Sequence, residues 1–123
     1  MTFQDRVDAY AATFPQFSSS VPHVSPDGRW LTAVWLLGNS YRGSGYYGAY
    51  PPSYLRRVAA LFPDVAPERW LHLFSGSLAA DVPGVRVDVR EPGAGVVAPT
   101  VRADAKRLPF ASASIELVAA DPP

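Results

Sequence analysis

The chain has 123 residues, with 11 Lys plus Arg against 11 Asp plus Glu and a formal net charge of zero, which excludes a basic arm or an acidic tail. Its 48% hydrophobic content supports a folded core, while 13 prolines and 9 glycines argue against a helical bundle. The absence of Cys removes disulfides, thiolate zinc sites and thiol nucleophiles, and two distant His residues do not suggest a metal site.

In chain order, residues 2–14 predict a helix, because Phe3, Val7, Tyr10, Ala11 and Phe14 recur at helical spacing. Thr2 is its expected cap, and Pro15 stops it. A Ser- and Pro-rich loop follows over 16–28 and ends in the turn signal Pro26-Asp27-Gly28. Residues 30–37 are apolar and suit a strand, with Trp30 and Trp35 read as core. The apolar runs are too short to span a bilayer, and the N-terminus lacks the pattern of a signal peptide, so a soluble cytoplasmic protein is the default.

Residues 38–50 are rich in Gly, Ser and Tyr and read as a loop. Pro51-Pro52-Ser53 then opens a second helix. Leu55, Val58, Ala59 and Phe62 are its expected apolar face, with Arg56 and Arg57 off that face and solvated. Four short strands follow, over 70–74, 85–89, 100–103 and 115–120. Each ends in small, polar or acidic residues, as a ligand site at the carboxyl ends of a parallel sheet requires. The connections over 75–84 and 90–99 are short for parallel crossovers. Either they are turns in place of helices, or part of the sheet is not parallel. His72, inside an apolar strand, reads as a satisfied core histidine, and Trp70 as core.

These residues carry a resemblance. Trp70-Leu71-His72-Leu73-Phe74-Ser75-Gly76-Ser77-Leu78 resembles the S-adenosylmethionine-binding loop of class I methyltransferases, particularly those that methylate amino groups in DNA. His72 stands where that family often has Asp, and Leu78 where it often has a second Gly. Residues 103–110, then 114–118 and Asp121-Pro122-Pro123, are similar to the family's stretch from the third strand to its Asp-Pro-Pro-aromatic motif. Ala49-Tyr50-Pro51-Pro52, leading into a helix, resembles the segment before the cofactor loop. The likeness covers roughly residues 44–123.

The fold it implies is α/β: an incomplete, Rossmann-like class I methyltransferase sheet with shortened crossovers. Residues 1–43 would be an N-terminal extension of helix, loop and strand, and 44–123 the cofactor-binding part. The chain would be the N-terminal part of a longer protein. The implied activity is methyl transfer from S-adenosylmethionine to an exocyclic amine of a DNA base, adenine N6 or cytosine N4, without a metal or a membrane. By resemblance, Phe74, Ser75, Gly76 and Ser77 form the cofactor loop, and Asp88 holds the ribose, with Glu91 as a substitute. Asp104 contacts the adenine amine, and Tyr50 with the following helix start meets the methionine carboxylate. Asp121, Pro122 and Pro123 are the catalytic set: two acceptors aimed at an amine stabilise its developing positive charge. The alternatives are an RNA or protein-amide methyltransferase, or a non-catalytic binding module with a degenerate methyltransferase fold.

Overall fold

The computed structural model describes residues 1–37, 50–76, 78–89 and 99–120. Two compact units result: unit 1 comprises Met1–Gly38 and Pro52–Asp64, and unit 2 comprises Asn39–Pro51 and Val65–Pro123. The predicted helix at 51–62 therefore belongs to unit 1, beside the N-terminal helix.

Unit 1 begins with helix α1, Phe3–Thr13. Thr2 accepts from the Asp5 backbone N–H at 3.1 Å, and the Asp5 carboxylate accepts from Thr2 N–H at 2.7 Å. This reciprocal box satisfies two donors that the first turn would otherwise leave open. Val7, Tyr10 and Phe14 are buried, as their spacing predicts. A 3-10 stretch, Pro15–Ser20, leads to strand β1, His23–Val24, antiparallel to β2, Leu31–Thr32. The turn between them is built on Ser25, whose hydroxyl accepts from Arg29 N–H and Trp30 N–H.

Two expectations fail here. The strand over 30–37 is reduced to two paired residues, because β1 offers a partner only two residues long. Trp30 is 61% exposed rather than core. It lies at the end of the hairpin turn, outside the cluster that Trp35 joins.

Helix α2 runs Tyr54–Leu61. Its buried positions include Arg57, Val58 and Leu61, so the inward face is one residue out of phase with the predicted one. Leu55, Val58, Ala59 and Phe62 and the series Tyr54, Arg57, Val58 and Leu61 both have helical spacing. The charge on Arg57 made the true series look polar. Arg6 forks onto Asp64 at 2.5 and 3.0 Å and donates to the Leu61 carbonyl, tying α1 to the end of α2.

Unit 2 is a four-stranded parallel sheet of β3 (Trp70–Leu73), β4 (Val85–Asp88), β5 (Val101–Arg102) and β6 (Leu117–Ala120). Its order is β5-β4-β3-β6, and every pair is parallel. Among its described residues, unit 2 contains no α-helix: 78–84 and 103–116 link their strands by turns and irregular chain. Arg86 explains how the first crossover holds. Its guanidinium is buried and donates to the carbonyls of Leu78 (2.7 Å), Ala79 and Val82 (2.9 Å). Acceptors that a helix would satisfy internally are satisfied instead by one side chain. Gly84, at φ +109°, turns the chain into β4, and a Cβ there would lie 2.9 Å from the Trp70 carbonyl oxygen.

The register sorts the sheet into two faces. Leu71, Leu73, Val85, Val87, Val101 and Val118 share one, and it is wholly apolar. Trp70, His72, Arg86, Asp88 and Ala119 share the other, where His72, Arg86 and Asp88 are all buried. Burial on both faces of β3 and β4 is the usual condition of parallel strands.

Candidate functional site at the strand ends

The order β5-β4-β3-β6 contains a reversal. From β3 the chain steps outward to β4 and β5, then returns to place β6 on the other side of β3. In open parallel sheets such a reversal opens a crevice at the carboxyl ends of the strands. Phe74, Ser75 and Gly76 leave β3 there, and Asp88 closes β4.

The loop after β3 is bent sharply. Phe74 sits at φ +54° and Gly76 at φ +48°. Left-handed backbone is free for Gly76 but strained for a bulky aromatic such as Phe74, at about 1–2 kcal/mol. Three contacts hold the bend. Ser75 N–H donates to the Val87 carbonyl at 3.1 Å, Leu78 N–H to the Ser75 carbonyl at 2.9 Å, and Gly76 N–H to Asp88 Oδ2 at 3.0 Å. Asp88 is buried, so a carboxylate and a backbone donor from two strand ends meet away from water. The fold therefore brings together Ser75, Gly76 and Asp88, which are 12 residues apart at their closest link.

The other predicted residues are placed differently. Asp104, just beyond β5, is exposed, and its carboxylate accepts from Lys106 N–H at 2.9 Å to close a turn. Tyr50 is half-buried; its hydroxyl lies 3.1 Å from His72 Nδ1 and donates to the Ala119 carbonyl at 3.2 Å. The tyrosine therefore engages the polar face of β3 and β6. Ser77, Glu91, Asp121, Pro122 and Pro123 lie outside the described residues.

His72 is fully buried beneath this site, as expected of a satisfied core histidine. Nε2 stands 3.1 Å from the Pro83 carbonyl, which only accepts, so Nε2 carries hydrogen; Nδ1 of the neutral ring is then an acceptor that shares the single Tyr50 hydroxyl proton with the Ala119 carbonyl. Burial pushes its pKa below the ordinary value; the Pro83 bond opposes this, and the Arg86 charge adds to it. Neutral imidazole is the stable form at this position.

Among the described residues, no cluster of His, Asp or Glu has the grouping of a metal site, and no helix is long and apolar enough to cross a membrane. Comparison with models of known protein families, with curated proteins and with solved structures finds no match to this chain. The reading of the site rests on its own residues.

Sequence reasoning missed two features of the chain. One is Arg86, whose alternation with Val85 and Val87 marked it as the opposite face of β4 but not as buried. The other is Arg57 in unit 1, hidden by its charge within an apolar series.

Proposed function

We propose that this chain binds S-adenosylmethionine at the carboxyl ends of β3 and β4, as the cofactor-binding part of a Rossmann-like methyltransferase acting on an exocyclic amine of a DNA base. The observation that carries this reading is the bond between Gly76 N–H and buried Asp88, at the reversal of a fully parallel sheet. A carboxylate ending the second strand of such a sheet has the acceptors a ribose diol requires. Gly76 lets backbone approach a ligand without a Cβ in the way. These residues fit the nucleoside end of the cofactor.

The bound cofactor would supply an electrophilic methyl group. The chain's own residues bind and orient. Asp88 accepts from hydroxyl groups while remaining tied to Gly76, which fixes its rotamer. Buried His72 and Arg86 support the strands beneath it. Asp104 offers an exposed carboxylate that can take a further donor while holding its turn. By the resemblance, Asp121 and the Pro122 carbonyl accept from the target amine, and the base leaves its duplex to reach them.

Calorimetric titration with S-adenosylmethionine and S-adenosylhomocysteine tests the reading, beside Asp88→Asn. Asn keeps an acceptor for Gly76 N–H but loses the charge. One-site binding that weakens at least tenfold in the variant supports the proposal, since a hydrogen bond to a charged group contributes about 1.5–3 kcal/mol. No heat from folded protein overturns it. A non-catalytic binding module is the rival, and burial of His72 at the position where the family often has Asp favours it. Cofactor binding without methyl transfer to unmethylated DNA would select that rival.

A further inference from the structure

Unit 1 contains a cavity of about 390 Å³ at the start of α2. Phe14, Phe17 and Leu37 line one part of it, and Ser53, Arg56 and Arg57 another. None of these residues belongs to the strand-end site.

Arg57 is the unusual member. It is 7% exposed, yet no carboxylate among the described residues pairs with it. Nη1 donates to the Tyr10 hydroxyl at 2.7 Å and to the Ser20 hydroxyl at 3.2 Å. Its Nε is buried with no acceptor among the described residues. The guanidinium carbon lies 4.3 Å from the Phe17 ring centre and 5.6 Å from that of Trp35. Aromatic faces and hydroxyl oxygens soften the cost of burying a cation, but they do not neutralise it.

The start of α2 adds charge of the same sign. Ser53, at φ +67°, makes no side-chain capping bond, and the first turn carries no acidic residue. The helix end therefore keeps its partial positive charge. Exposed Arg56 stands on the same wall. Two guanidinium groups and a helix N-terminus thus converge on one cavity with apolar walls, and no described residue supplies an anion.

We propose that this cavity binds a small organic anion, its carboxylate or phosphate head held by Arg56 and Arg57 and its apolar body against Phe14, Phe17 and Leu37. The planar fork of arginine matches either head group. The volume lies within the range of small-molecule sites and suits a single-ring ligand. The resemblance assigns the start of this helix to the methionine carboxylate; the proposal concerns a second ligand instead, and competition with S-adenosylmethionine separates the two.

Benzoate, phenyl phosphate, inorganic phosphate and neutral benzyl alcohol are the probes, titrated into ¹⁵N-labelled protein. The Nε–H signals of Arg57 and Trp35 are the readout. Saturable shifts with benzoate or phenyl phosphate are expected, and the tighter of the two identifies the head group. Benzyl alcohol should fail, and inorganic phosphate should bind at least tenfold more weakly than phenyl phosphate. Arg56→Gln, an exposed change that leaves the core intact, should weaken binding about tenfold. Three results would overturn the proposal: no saturable shift with either aromatic anion, equal binding of benzyl alcohol, or displacement of the anion by S-adenosylmethionine. The last would make the cavity part of the cofactor site. Failure here leaves the Asp88 titration untouched, so the two readings fall separately.

Discussion

Among the described residues, each unit buries one arginine, and the two are used in opposite ways. In unit 2, Arg86 spends its donors on three carbonyls of the crossover it supports. In unit 1, Arg57 binds two hydroxyls, rests on aromatic rings and keeps a buried Nε without an acceptor. Burial is nearly equal, at 6% and 7% exposure, so burial alone does not separate them. The difference lies in what faces the donors. A cation whose guanidinium clamps three backbone carbonyls is a structural brace. One that lines a cavity with donor capacity left over is the kind of group that awaits a ligand, at some cost to stability.

That contrast can be broken by mutation. The largest expected effect is Arg86→Leu, which leaves three crossover carbonyls without their donor. A loss of about 3 kcal/mol is expected in urea unfolding. A loss below 1 kcal/mol would show that the turn between β3 and β4 does not depend on the clamp. Gly84→Ala strikes the same crossover through the backbone. Positive φ and a Cβ 2.9 Å from the Trp70 carbonyl oxygen predict a cost of about 2 kcal/mol, read as a fall in midpoint.

Arg57→Leu sharpens the comparison from the other side. The variant removes a buried charge that no carboxylate among the described residues balances, and the hydroxyls of Tyr10 and Ser20 lose a donor but can still donate their own O–H. Stability should therefore change by no more than about 1 kcal/mol, while anion binding disappears. A cost equal to that of Arg86→Leu would make Arg57 a second brace.

The finest test is pH. Because the folded pKa of His72 is lowered, the unfolded chain takes up this proton first as pH falls. Stability should decline from near the ordinary value of 6.5 down to the lower folded value, and level off below it. His72→Gln should remove that segment of the pH profile. Asp5 and Asp64, both lowered by hydrogen bonds from Thr2 and Arg6, act in a more acidic window. Their contribution is present above the ordinary carboxylate range and is lost as pH falls through their folded values.

Local order was legible in the sequence. The capped helix at α1, the stop at Pro15, the turn at Ser25 to Gly28 and the positions of all four sheet strands follow from spacing, capping and proline chemistry. Those signals act over a few residues, so the sequence carries them directly.

Other features were decided only when distant segments met. Parallel pairing of β3 with both β4 and β6 depends on contacts far apart in the chain. The strand at 30–37 shrank because its partner was short, and Trp30 stayed exposed for the same reason. The phase of α2 was ambiguous by one residue until Tyr10 and Ser20 supplied hydroxyls for Arg57. Sequence determined which segments form elements and which residues carry charge. Tertiary structure decided which of those charges were buried, because burial depends on partners that no local pattern names.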